Sequence, residues 1–404
     1  MTQQLSTAVT PFTIAVPDES LEDLRRRLDN ARIASDFNNA DWQYGVERSY
    51  LVDLMEYWRN GFDWRAQEAQ MNALPNYRVT IDDVPHPFHQ GGGGKGPKPI
   101  PIVLSHGWPW TFWDYHKVIG PLADPVAYGG NAEDAFDVIV PSLPGFGFSS
   151  PIDRTVVPRQ MAGLWVRLMT EVLGYHRFAA SGGDMGAFVS AYLAHEHAEH
   201  LIGAHLAFPA LLAASTAAHD PADNPDPVER EIHEAVLKRR HTIRAHVAVH
   251  ANDPQTIGYA LNDSPPRPGG WIVERRRNFA ADDDIEARYT KDDLLTLCSI
   301  YWFTGTINTS MRVYRDMIAR SPLTGELDGS APYPLAHDRM PVLEAPTSVS
   351  AFPGDIGFAP RSAYERYTNL HQYTIQPKGG HFAVFEEPEL YLTDVRAAFR
   401  DLRP

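Results

Sequence analysis

Apolar and polar positions change their rhythm several times along the chain. Phe12, Ile14 and Val16 alternate, which predicts a half-buried strand. Ser20 then offers an N-cap, and Leu21, Leu24 and Leu28 follow at helical spacing. A second amphipathic helix is predicted over residues 50–59, carrying Leu51, Leu54, Met55 and Trp58 and stopped by Gly61. Tyr77, Val79 and Ile81 alternate again, and residues 91–96 (GGGGKG before two prolines) read as a linker.

Beyond the linker, residues 100–104 and 136–140 are short runs that are apolar throughout, as buried strands of a parallel sheet are. A helix with Met161, Leu164, Trp165, Leu168, Met169 and Val172 on one face, capped by Gly174, leads to a strand over 177–180. Strand, helix, strand in repetition predicts a mostly parallel, doubly wound α/β sheet. From about Pro209 the pattern turns polar and helical, and the strand pattern returns near Ala345. The organisation read from this is an N-terminal arm and linker over 1–97, core over 98–208, a helical lid over 209–340 and core again over 341–404. A lid placed there covers the strand ends, where open α/β sheets bind ligands.

Composition narrows the classes. The chain of 404 residues is 43% hydrophobic and 22% charged, ordinary globular values, and it can bury a large core. A net charge of -15 argues against nucleic acid or an anionic membrane surface as partner. The opening MTQQLSTAVTPF lacks the basic start and apolar run of a signal peptide, and no stretch approaches the roughly 20 apolar residues of a spanning helix, so no transmembrane anchor and a cytoplasmic enzyme are expected. Cys298, the one cysteine, sits in an apolar helical context and reads as packing.

Gly182-Gly183-Asp184-Met185-Gly186 has the form of a nucleophile elbow between strand and helix, with Asp at its centre. Asp355 follows a late strand and His381 precedes the final helix, which gives the chain order nucleophile, acid, histidine. His106-Gly107-Trp108-Pro109 ends an early strand, where such folds place an oxyanion-hole amide. Three elements in the right order mark an active site.

The sequence resembles the epoxide hydrolase family, in the branch similar to microsomal epoxide hydrolase with its extra N-terminal domain. The residues that carry the resemblance are HGWP at 106–109, PSLPGFGFSS at 141–150, GGDMG at 182–186, ALNDSP at 260–265, YWFTGT at 301–306, SAFPGD at 350–355 and GGHFAVFEEPE at 379–389. The resemblance implies an α/β-hydrolase core with a helical lid and N-terminal arm, and hydrolysis of a small apolar or aromatic epoxide to a vicinal diol without cofactor or metal. It makes Asp184 the nucleophile, His381 the base oriented by Asp355, the amides of Trp108 and Met185 the oxyanion hole, and Tyr314 a lid proton donor. The family's second lid tyrosine falls here on His246, with Tyr259 as the fallback. Met185 and Trp110 are further departures, and Trp110 and Trp113 are expected to line the pocket.

Two other readings share these residues. A dehalogenase uses the same triad but stabilises a halide, and a non-catalytic ligand-binding protein could use the same fold. His195, His197 and His200 are read as the end of the helix after the elbow, not as metal ligands, and Arg275 to Arg277 as a solvated face. GGGGKG lacks the ending of a phosphate-binding loop. The arm and lid would suit a homodimer, which no residue pattern demonstrates.

Overall fold

The computed structural model describes residues 8–91, 93–210, 220–282, 284–319 and 339–403. One nine-stranded sheet organises them: β1 (Thr10–Pro11), β2 (Asn76–Ile81), β3 (Val84–Gln90), β4 (Ile100–Ser105), β5 (Phe136–Pro141), β6 (Phe178–Gly182), β7 (Leu201–Leu206), β8 (Leu343–Ala351) and β9 (Thr368–Ile375), in the order β1-β2-β3-β5-β4-β6-β7-β8-β9. Strands β5 through β9 along that order pair in parallel with β4 between β5 and β6, whereas β1, β2 and β3 join antiparallel at one side. The apolar runs expected to be buried strands are β4 and β5, and Ile102, Val103, Val138 and Ile139 are fully buried.

Helices α1 (Asp18–Asp29), α2 (Arg48–Asn60) and α3 (Trp64–Asn72) belong to the arm, and α4 (His116–Ala123), α5 (Pro158–Arg167) and α6 (Asp184–Glu196) to the first part of the core. The segment between β7 and β8, where the lid is expected, contains α7 (Pro227–Asn252), α8 (Pro254–Leu261), α9 (Pro266–Phe279), α10 (Lys291–Thr304) and α11 (Ile307–Ala319). Helices α12 (Arg361–Tyr367), α13 (Ala383–Glu386) and α14 (Pro388–Arg400) complete the chain.

The arm is built into this frame instead of hanging beside it, so the sheet crosses the boundary expected at residue 97. The alternation at Phe12, Ile14 and Val16 is not a strand: the strand here is Thr10–Pro11, and a helix supplies the partners of the residues that follow. The amides of Ile14 and Val16 donate to Asn72 Oδ1 at 2.9 Å and Glu68 Oε1 at 2.7 Å, both on α3. Strand β3 has no sequence signature, since VPHPFHQ carries two prolines. It pairs with β2 along its length through a turn with Asp82 and Asp83 both at positive φ, the hand that suits a two-residue hairpin. Pro85 and Pro87 face the β5 side, and pairing with β5 begins only at Phe88.

The arm also meets the lid. Trp58 Nε1 donates to Ser299 Oγ at 3.0 Å, and the Tyr57 hydroxyl to Asp292 Oδ1 at 2.9 Å, across α2 and α10. Cys298 is buried in α10, and burial pushes its thiol up to about 12, as packing requires. His195 is in the last turn of α6 and bonds through Nδ1 to the Val342 carbonyl. The run Arg275 to Arg277 is not a solvated face: Arg275 and Arg276 are both 2% exposed, and Arg277 lies over the Trp42 ring. Among the described residues, no helix is long and apolar enough to cross a membrane.

Candidate active site

Strand β6 runs into α6 through a turn that only small residues allow. A Cβ on Gly186 would stand 1.8 Å from the Ser105 carbonyl oxygen, and one on Gly107 would stand 2.2 Å from Asp184 Oδ1. Asp184 itself holds φ at +49°, a left-handed conformation that costs a residue with a Cβ on the order of 1–2 kcal/mol. The strain is stored where the side chain is displayed. Asp184 starts α6, so the helix N-terminus favours its negative charge.

The carboxylate is held from both sides. Its Oδ1 accepts the Trp108 amide at 2.8 Å, and the Met185 amide also bonds to the group. Its Oδ2 lies 3.2 Å from His381 Nε2. On the far side of the ring, His381 Nδ1 lies 2.7 Å from Asp355 Oδ1, which also accepts the Ile356 amide at 2.6 Å. The arrangement leaves Asp184 the more open of the two carboxylates, 13% exposed against 4% for Asp355. Burial pushes the Asp184 carboxyl up, but His381 and the two amides outweigh it and hold the group below its ordinary value. Burial likewise pushes His381 down, yet the charges of Asp355 and Asp184 raise it to about 9. At neutral pH the resting pair is therefore a carboxylate facing an imidazolium.

His106 sets the loop that delivers the Trp108 amide. Its Nε2 accepts the Leu143 amide at 3.0 Å, and its Nδ1 lies 3.1 Å from the Gly107 carbonyl. Burial lowers it to about 4, so it is a neutral latch between this loop and the 141–150 loop.

Above the carboxylate, the lid brings Tyr314 and His246 together against Trp108. The His246 ring stacks on the Trp108 ring at 5.3 Å, and Tyr314 meets both edge-on at 6.2 and 5.5 Å. Burial drives His246 well below its ordinary value, with neighbouring His250 and the Arg275 guanidinium adding to the effect, so the ring is neutral. Tyr259 is 71% exposed on α8, which removes it as a candidate donor.

The two pocket tryptophans separate. Trp110 is buried beside His381, with rings 5.8 Å apart, and its Nε1 has no hydrogen-bond partner among the described residues. Trp113 is not in this site: it stacks on His116 at 4.7 Å, one short helical turn away from Trp110. Phe208 and Phe279 take the wall instead, edge-on to His381 at 5.2 and 5.5 Å. Sequence reasoning missed both, along with His250, whose ring meets Trp108 at 4.4 Å. The helical spacing of His246 and His250 on α7 was the available signal for the last.

Comparison with known proteins agrees with this architecture. Residues 9–115 match the family described as Epoxide hydrolase N terminus, and residues 100–388 that described as alpha/beta hydrolase fold. The chain is 38% identical over 400 residues to a "Putative epoxide hydrolase" of Stigmatella aurantiaca, covering 98% of this chain and 86% of that protein. It is 30% identical over 417 residues to Epoxide hydrolase 1 of Oryctolagus cuniculus, covering 96% and 88%. Among solved structures it is similar to the epoxide hydrolase of Aspergillus niger, with a TM-score of 0.82, 26% identity and coverage of 98% and 97%.

Proposed function

The chain belongs to the epoxide hydrolase family, and from that premise we propose that it hydrolyses a small apolar or aromatic epoxide to a vicinal diol through an ester on Asp184. One observation carries the reading: the Asp184 carboxylate has Oδ1 on the Trp108 amide and Oδ2 against His381. A carboxylate suits this chemistry because a serine attacking an sp³ carbon would form an ether that activated water cannot cleave. An aspartate forms an ester, and it needs no base to activate it.

In the first step Asp184 Oδ2 bonds to an epoxide carbon and the ring C–O bond breaks. The alkoxide takes a proton from Tyr314, a phenol that is protonated at neutral pH. Neutral His246 can donate a hydrogen bond to the same oxygen without gaining or losing charge. The ester removes one of the two negative charges that hold His381 protonated, so its affinity for a proton falls. His381 then gives up its proton, which restores Tyr314, and becomes free to act as a base.

In the second step His381, oriented by Asp355, takes a proton from water as that water attacks the ester carbon. The oxyanion gathers on Oδ1, the atom the Trp108 amide already holds, with the Met185 amide also bonded to the group. Collapse releases the diol and regenerates the carboxylate. The rings of Trp108, Trp110, Phe208 and Phe279 around the triad support an apolar or aromatic substituent on the epoxide.

A dehalogenase reading draws on the Nε1 groups of Trp108 and Trp110, both buried and without a partner among the described residues. Tyr314 and His246 over the site favour an alkoxide over a halide. The test is mass spectrometry of His381→Gln incubated with styrene oxide. An adduct of one epoxide mass on the peptide bearing Asp184 is expected. Unmodified protein, under conditions where the wild type turns over, would reject the covalent route, and chloride release from haloalkanes would favour the dehalogenase.

A further inference from the structure

Arg276 is a lid residue on α9, yet it is 2% exposed and reaches down to the core. Its Nη2 donates to the Pro109 carbonyl at 2.9 Å and to Asp114 Oδ1 at 2.5 Å. The other oxygen of Asp114 accepts the Thr111 amide at 2.8 Å, so one guanidinium gathers residues 109 to 114. The same guanidinium lies 3.9 Å from the centre of the Phe382 ring, next in sequence to His381. Three residues along the chain from Arg276, the Phe279 carbonyl accepts the His381 amide at 3.0 Å.

A buried ion pair is weak evidence for stability, since apolar residues of equal volume often serve as well or better. What this pair adds is register. Pro109 follows Trp108 directly, so holding the Pro109 carbonyl and the Phe382 ring on one guanidinium fixes the amide and the imidazole relative to each other. We propose that Arg276 is a positioning residue, through which the seated lid aligns the Trp108 amide and His381 on Asp184. The inference rests on the Asp184 ester described above.

The two chemical steps respond differently to that alignment. During ring opening, negative charge leaves Asp184, and a weaker amide contact costs little. During ester hydrolysis, charge gathers on Oδ1, and a displaced donor slows the step. Single-turnover measurements with styrene oxide on Arg276→Met are expected to show hydrolysis slowed about 10- to 100-fold and alkylation changed by less than about 3-fold. In steady state kcat falls, KM falls with it, and kcat/KM is nearly kept.

Asp114→Asn reads the same tether from the other end and keeps the measurement available if Arg276→Met does not fold. Arg276→Lys, a point charge able to serve fewer acceptors, is expected between wild type and Arg276→Met. Equal slowing of both steps, or no change in either, would overturn the positioning role while leaving the ester reading intact. If His381→Gln forms no adduct on Asp184, the ester reading fails, and this inference with it.

Discussion

His86 on β3 and His381 before α13 are both shielded from solvent, at 0% and 1% exposure, yet one is driven down to about 3 and the other raised to about 9. Burial acts on both in the same sense, against the charged ring. Around His86 no carboxylate bonds to either ring nitrogen, and the charge of Asp82 and the Ile81 backbone offset burial only in part. His381 has a carboxylate on each nitrogen, at 2.7 and 3.2 Å. The neighbours, and not the depth, decide whether a buried histidine carries charge here. His246 and His250 sharpen the point: they pack against Trp108, close to the charged pair, but follow the histidine of β3, driven well below the ordinary value by burial first. The helices between β7 and β8 thus carry neutral rings while the loop before α13 holds the charged one.

The most direct way to break the contrast is to remove a neighbour. Asp184→Asn is expected to lower kcat by at least about 10⁴-fold, as loss of a nucleophile does. In the same variant, NMR titration should find His381 well below about 9, because one of its two carboxylates is gone. A value unchanged from wild type would mean that Asp355 alone sets it.

Next in size is the acid limb of stability. A histidine whose folded value is depressed lets the unfolded chain bind more protons, so its contribution is full above the unfolded value and shrinks as pH falls. For His86, with a folded value of about 3, that loss runs from pH 6.5 downward. Urea unfolding at pH 7 and pH 4 should show the wild type losing roughly 3 kcal/mol more than His86→Phe over that interval. Equal losses would mean that β3 admits water around the ring.

The alkaline limb has the opposite sign. His381 binds its proton more tightly folded than unfolded, so its contribution is full below pH 6.5 and is lost as pH rises through about 9. Between pH 7 and 9 the wild type should lose roughly 2 kcal/mol relative to His381→Gln in the same unfolding assay. A wild type that holds its advantage to pH 9 would contradict the resting ion pair.

Much of the site could be read from sequence because its chemistry is local. The elbow, the HGWP loop and the loop before α13 are short motifs whose backbone roles travel with them, and the structure links Trp108, Asp184, His381 and Asp355 in that order by hydrogen bonds. The family resemblance points to His246, whose ring the structure stacks on Trp108 beside Tyr314. What could not be read depended on which way one residue in a run faces. Arg275, Arg276 and Arg277 look alike as a string, but successive positions on a helix turn by about 100°, and only the fold tells which two point inward. Trp110 and Trp113 part company for the same reason, across a 3-10 turn. Strand β3 was hidden by its prolines, which are harmless only because β5 begins to pair where they end.

That last strand has a consequence for how the chain can be cut. β3 occupies one flank of β5, with Phe88 to Gln90 against Ile139 to Pro141. Removing everything up to the glycine-rich stretch after it would not leave a self-sufficient core. It would bare a row of amides and carbonyls along β5, the kind of unguarded border on which foreign strands stack into aggregates.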